Sequence, residues 1–190
     1  LRKHNVSVDI YGKCSDRAFT CEDVDKRMLD SKQCRAKLAR EYMFFLAFEN
    51  SVCDDYVTEK LFDTVLYDVV PVVFGGARYA DWLPRSAYVD VMDPVFAGSV
   101  ASLAKHLLWL SRTPKEYNRH FEWKRHIRIT HRPLHFLCDV CVRLHMEAHF
   151  GERLHPNQKI QRYEEYFGKK AGNCRRPVFH PNGSFTFLPV

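Results

Sequence analysis

The chain has 190 residues, 46% hydrophobic and 27% charged, which suits one domain of ordinary size or slightly more and excludes a chain disordered throughout. Lys and Arg number 29 against 23 Asp and Glu, a net charge of +6 with ten histidines besides. That excess favours an anionic partner (a nucleotide, a nucleic acid or an acidic membrane surface) and serves plain solubility equally well. No apolar run approaches the ~20 residues that span a bilayer.

The first residues, LRKHNVSVDIYG, lack the apolar core and cleavage site of a signal peptide, and position 1 is Leu. The chain is therefore expected to be a piece of something longer. SVDIYG (7–12) has the pattern of a short strand ending at a glycine. Residues 13–34 are polar and hold three cysteines, which suggests a stapled loop. DSKQCRAKLAREY (30–42) has helical character. MFFLAFE (43–49) is a continuous apolar run between polar turn residues, the pattern of a buried strand.

Residues 50–57 form a polar loop. Thr58 is then placed to cap a helix running to about Tyr67, with Leu61, Phe62, Val65 and Leu66 on one face. VVPVVFGG (69–76) is a second buried strand ending in two glycines. Strand, loop, helix and strand make a βαβ unit with a parallel sheet, so the expected class is α/β. AYVDV (87–91) is a further short strand. SVASLAKHLLWLS (99–111) is a helix with Val100, Leu103, Leu107 and Leu110 inward. The next helix opens Thr113-Pro114-Lys115-Glu116, a capping box, and runs to about Arg125. Residues 1–150 are assigned to one α/β domain. Residues 151–190 are assigned to a basic tail, with little regular structure expected after about 170.

The loop before Thr58 carries the chemistry. In open α/β sheets ligands bind beyond the carboxyl ends of the strands. A helix N-terminus there offers free N–H groups and positive charge to phosphate. Lys60 adds a full cation suited to a departing diphosphate. Glu59 would repel phosphate and suits the hydroxyls of a ribose or sugar instead. Asn50 and Tyr56 add an amide and a phenol. Residues of this kind in a first helical turn also occur simply as solvated surface. The dinucleotide and P-loop fingerprints, GxGxxG and GxxxxGK[ST], are absent.

The string FENSVCDDYVTEKLF followed by VVPVVFGG resembles the signature of the α1,3-fucosyltransferases. The resemblance runs from VDIYG through SAYVDV and EYNRHFEWK to the Cys-x-x-Cys near 140, about three-quarters of the chain. It implies a GT-B enzyme of which this is the C-terminal, donor-binding, Rossmann-like half: a parallel sheet with flanking helices. It implies transfer of fucose from GDP-fucose, with inversion, to a GlcNAc of a glycoprotein glycan, with Asn50, Tyr56, Glu59 and Lys60 on the donor. Where related enzymes often have Tyr in the strand before FENS, this chain has Phe45. The family's general base and a donor-contacting arginine lie outside this chain, so no catalytic acid or base is assigned within it. A Golgi address on the lumenal face is implied, with the membrane anchor upstream. The partners are then the donor, the acceptor glycan and the enzyme's own N-terminal domain.

Seven cysteines and two sequons, at Asn5 and Asn182, favour a compartment where disulfides persist. Cys14, Cys21, Cys34 and Cys53 allow three pairings. Cys53 lies within the loop, so its bridge would stiffen it. Cys138-x-x-Cys141 with His145 and His149 forms a zinc-like string but lacks the usual spacer, and disulfides are the preferred reading. The family resemblance implies bridges from Cys138 and Cys141 to the N-terminal domain. Asp54-Asp55 is adjacent rather than spaced as DxD, so no obligatory metal or other cofactor is expected. Dispersed basic residues without an RNP-like or zinc-finger pattern argue against nucleic acid. The rival reading is a catalytically inactive nucleotide- or glycan-binding domain. Within the family, the Cys53 loop and the cysteine-rich segment lean toward a core N-glycan acceptor over a Lewis-type one.

Overall fold

A computed structural model describes residues 1–11, 32–129, 133–150 and 174–189. Residues 32–41 bury Cys34 and Leu38, four residues apart on one face, and fold as helix α1, Lys32–Glu41. The apolar run after it is strand β1, Phe44–Phe48. Helix α2, Glu59–Thr64, returns the chain to strand β2, Val70–Phe74. A two-residue strand β3, Val89–Asp90, follows. The sheet order is β1-β2-β3, all parallel, with Phe44 opposite Val70 and Val72 opposite Val89. The expected α/β class and βαβ unit are therefore present.

Every residue of β2 is buried, because helices cover both its faces. The period of two sends Val70, Val72 and Phe74 to one face, where they join Leu103, Leu107 and Leu110 of helix α3, Val100–Arg112, in the main core. Helix α2 packs on β1 and β2, with Leu61 fully buried. Ser99 caps α3 by accepting from the Ser102 amide.

Several expectations need correction. β1 is half-buried at Phe44, Phe45 and Leu46, buried at Ala47 and exposed at Phe48, since it ends the sheet and, among the described residues, no strand covers its other edge. Residues 7–11 form no strand. Without a sheet neighbour their backbone takes other partners, and the Val8 carbonyl accepts from the Arg2 guanidinium at 2.9 Å. Helix α2 stops at Thr64, short of Tyr67. The capping box at Thr113 does not form. The Thr113 hydroxyl instead donates to the Trp109 carbonyl at 2.9 Å, closing α3. Helix α4, Pro114–Arg119, gives way to a separate 3-10 turn, Glu122–Arg125.

The largest correction concerns the end of the chain, expected to be irregular. Strands β4, Arg175–Phe179, and β5, Phe185–Pro189, pair antiparallel as a hairpin, with helix α5 (Pro133–Phe150) preceding them in the chain. One compact unit comprises Leu1–Ile127 and Asn173–Val190, and Arg128–Gly172 forms another. Among the described residues no helix is long and apolar enough to cross a membrane.

Candidate functional site

The loop leaves the carboxyl end of β1 at Glu49 and returns at Thr58. Glu49 closes it. Its side chain has no solvent exposure and accepts from the Thr58 amide at 2.9 Å through Oε1 and from the Thr58 hydroxyl at 2.7 Å through Oε2. Residues 50–57 thus form a compact surface loop with its ends held together. Glu49 was not singled out as a site residue from sequence. It stood in the Glu-Asn-Ser break of the strand, where a carboxylate is ordinarily solvated.

The same carboxylate holds Lys60. The ammonium lies 3.6 Å from Glu49 Oε2, 3.6 Å from Glu59 Oε1, and donates to Thr58 Oγ1 at 3.1 Å. The two carboxylates differ in freedom, since the Glu59 side chain is 62% exposed. Glu49 fixes the cation while Glu59 can swing away. Lys60 and Glu59 stand at the edge of a largely apolar cavity of about 780 Å³, walled by the N-terminal segment and by Phe44, Phe45 and Leu46 of β1. That volume lies within the range of small-molecule sites.

The four expected residues are therefore split. Glu59 and Lys60 meet and line the cavity, whereas Asn50 and Tyr56 do not line it. Asn50 is exposed at the loop's start and Tyr56 is half-buried near its end. The expected supply of free helix N–H groups is also reduced. The Thr58 amide is taken by Glu49, and the Lys60 amide faces the Thr58 hydroxyl at 3.5 Å. Helix α2 has only six residues, so positive charge here resides chiefly in the Lys60 side chain.

Two glycines ending β2 bring the loop close. A Cβ on Gly76 would fall 2.5 Å from the Cys53 carbonyl oxygen, and one on Gly75 would fall 2.3 Å from the Tyr79 hydroxyl. That hydroxyl is buried and has no hydrogen-bond partner among the described residues. Burial, with the Glu49 charge adding, pushes its phenol well above the ordinary range. Asp55 takes a left-handed backbone conformation, φ 59°, which Asp tolerates better than most residues.

Cys53 is bonded to Cys174 across 121 residues, so the expected pairing within Cys14, Cys21, Cys34 and Cys53 does not hold for Cys53. Cys174, the partner observed, stood outside that set. Cys34 is also disulfide-bonded, while Cys14 and Cys21 lie outside the described residues. Cys138 and Cys141 are free and exposed on α5. Among the described residues no group of three or more His, Cys, Asp or Glu is arranged to hold a metal ion. Asn5 and Asn182 are both exposed. The Asn182 side chain accepts from the Ser184 amide and hydroxyl.

The C-terminal model of glycosyltransferase family 10 (fucosyltransferase) matches residues 1–167. The chain is 42% identical over 154 residues, 81% of its length, to alpha-(1,3)-fucosyltransferase C of Drosophila melanogaster, of which this covers 33%. It is 37% identical over 134 residues to GDP-fucose protein O-fucosyltransferase 3 of Danio rerio, 68% of this chain and 28% of that one. It is 36% identical over 151 residues to glycoprotein 3-alpha-L-fucosyltransferase A of Drosophila melanogaster, covering 77% of this chain and 27% of the relative. The chain thus spans about a third or less of the length of these relatives. It belongs to glycosyltransferase family 10, the fucosyltransferases.

Proposed function

From that membership, we propose that the chain is the donor-binding half of an enzyme that transfers fucose from GDP-fucose, with inversion and in α1,3 linkage, to a GlcNAc of a glycoprotein glycan. The observation that carries this reading is the Lys60 ammonium, oriented by the buried Glu49 and by Thr58 at the carboxyl end of β1. A cation so held is already in place when the diphosphate arrives, and its stabilisation costs no reorganisation as charge develops. Glu59, exposed and detachable, exchanges Lys60 for donor hydroxyls. Asn50 and Tyr56 supply further polar contacts from the loop.

In the reaction the acceptor hydroxyl attacks the fucose anomeric carbon as the bond to the diphosphate oxygen breaks. The bonding pair leaves with GDP and the proton passes to a general base. No acid of this chain is given that role. It falls to a carboxylate of the N-terminal domain, outside the chain. Lys60 provides the leaving-group charge, so transfer is expected to need no metal ion. The Cys53–Cys174 bridge suits an oxidising compartment, in keeping with the lumenal face of the Golgi membrane and an anchor upstream.

A second reading concerns the acceptor only. Relatives named as protein O-fucosyltransferase 3 match at 37% identity, which favours a protein hydroxyl in place of a glycan. The test is to offer the full-length enzyme GDP-fucose with a GlcNAc-terminated N-glycan and with a folded protein bearing no glycan. Linkage analysis finding fucose on the GlcNAc 3-hydroxyl supports the first reading. Fucose appearing only on a serine or threonine replaces it with the second. A full-length enzyme that binds GDP-fucose yet transfers to neither supports an inactive binding domain.

A further inference from the structure

The family match ends at residue 167, yet the segment that grips the loop lies beyond it. Three consecutive loop residues are held by the C-terminal hairpin in three different ways. The Val52 carbonyl accepts from the Arg175 amide at 2.8 Å, making an isolated antiparallel bridge. Cys53 is bonded covalently to Cys174. The Asp54 carboxylate lies 3.6 Å from the Arg175 guanidinium, which itself sits over the Phe187 ring.

The hairpin is in turn anchored to the core. Phe185 and Phe187 pack on Phe74 at the carboxyl end of β2, with ring centroids 5.5 and 6.3 Å away. The Gly183 carbonyl accepts from the Val100 amide at 2.9 Å, at the start of α3. On its other side the loop backbone at Cys53 presses against Gly76. The loop is therefore caught between β2 and the hairpin by contacts of the chain itself.

We propose that the hairpin 174–189 is a clamp that pre-organises the donor loop, with Cys174 and Arg175 as its positioning residues. The inference rests on the reading of residues 50–60 as the donor seat. A loop already ordered spends none of its binding free energy on ordering, so the clamp strengthens donor binding without touching the donor. Such uniform binding lowers KM for the donor and leaves kcat alone. A purely structural hairpin would instead change the amount of folded enzyme, and so the apparent kcat at constant KM.

The experiment uses the full-length enzyme carrying Cys174→Ala, Arg175→Ala or Arg175→Lys. Hydrogen exchange of amides 52–58 is measured without ligand, and KM and kcat are measured for GDP-fucose. Cys174→Ala is expected to speed exchange in this loop, raise the donor KM about tenfold and leave kcat within about twofold. Arg175→Ala is expected to do the same less strongly, with Arg175→Lys recovering most of the loss by restoring the charge opposite Asp54. Unchanged loop exchange in both alanine variants overturns the clamp. Faster exchange with an unchanged donor KM shows a clamp on a loop that is not the donor seat, which overturns the placing of the donor at residues 50–60 and this inference with it, while the transfer reaction itself stands. If Cys174→Ala does not fold, Arg175→Ala decides, since it leaves the disulfide intact.

Discussion

Lys60 sits between one carboxylate that cannot move and one that can. Lys60→Met keeps most of the side-chain stem and removes the charge. Its kcat is expected to fall roughly 10²-fold, the scale of losing one preorganised stabilising group. It also leaves the buried Glu49 carboxylate without its cation, so urea unfolding should show a loss of about 1–3 kcal/mol. Normal kcat with only a raised KM would assign Lys60 to uniform donor binding. Glu59 and Lys60 stand out in the sequence as charges in the first turn after a capping Thr, and the structure brings them together, although such residues also serve as plain solvated surface. Glu49 was not, because its burial arises only when the loop folds back on Thr58. His120 makes a different case. Burial, chiefly, holds its imidazole below the ordinary 6.5, and its Nδ1 faces the Ser86 carbonyl at 2.7 Å. The unfolded chain then binds the proton more readily, so stability is fully present above pH 6.5 and is lost as pH falls toward the lowered folded value. His106, lowered by burial too, acts in the same direction. Unfolding free energy measured from pH 7 to pH 5 should decline, and His120→Asn should make that decline shallower.

At the level of elements, the βαβ unit was legible because two continuous apolar runs flank a helix with apolar residues at 3–4 spacing. The helix ended sooner than expected because the Tyr67 amide donates to the Thr64 carbonyl, a tight turn that leads into β2. The C-terminal hairpin was missed although its signal was present. Asn182-Gly183 between RRPVF and FTFLP is a hairpin turn signal, and Gly183 does take a positive φ of 80°. The surrounding Arg, Pro and Asn hid it. The paired glycines after β2 were read only as a strand end, since the loop that presses on them comes from earlier in the chain. Gly76→Ala would push a methyl group to 2.5 Å from the Cys53 carbonyl oxygen. The expected cost is about 1–3 kcal/mol of stability from overpacking, with the loop displaced. Calorimetry should show GDP binding weakened at least severalfold.

Across the molecule, the chain carries a held cation, a detachable carboxylate and a clamped loop, but no residue assigned as general base. Residues 1–190 alone are therefore expected to bind GDP weakly in calorimetry and to transfer no fucose to a GlcNAc acceptor. Turnover by these residues alone would place the base within them and overturn the split site. The acceptor was not legible from sequence, nor does the loop decide it, because the role proposed for residues 50–60 concerns the donor alone.

The half-buried β1 strand has a practical consequence for anyone handling these residues alone. Among the described residues no strand pairs with its outer edge, and Phe44, Phe45 and Leu46 line an apolar cavity. A bare, apolar strand edge is a template for pairing with a second copy and for aggregation. Light scattering of residues 1–190 should show mass rising with concentration, and Phe45→Lys, a charge set on that edge, should suppress the rise.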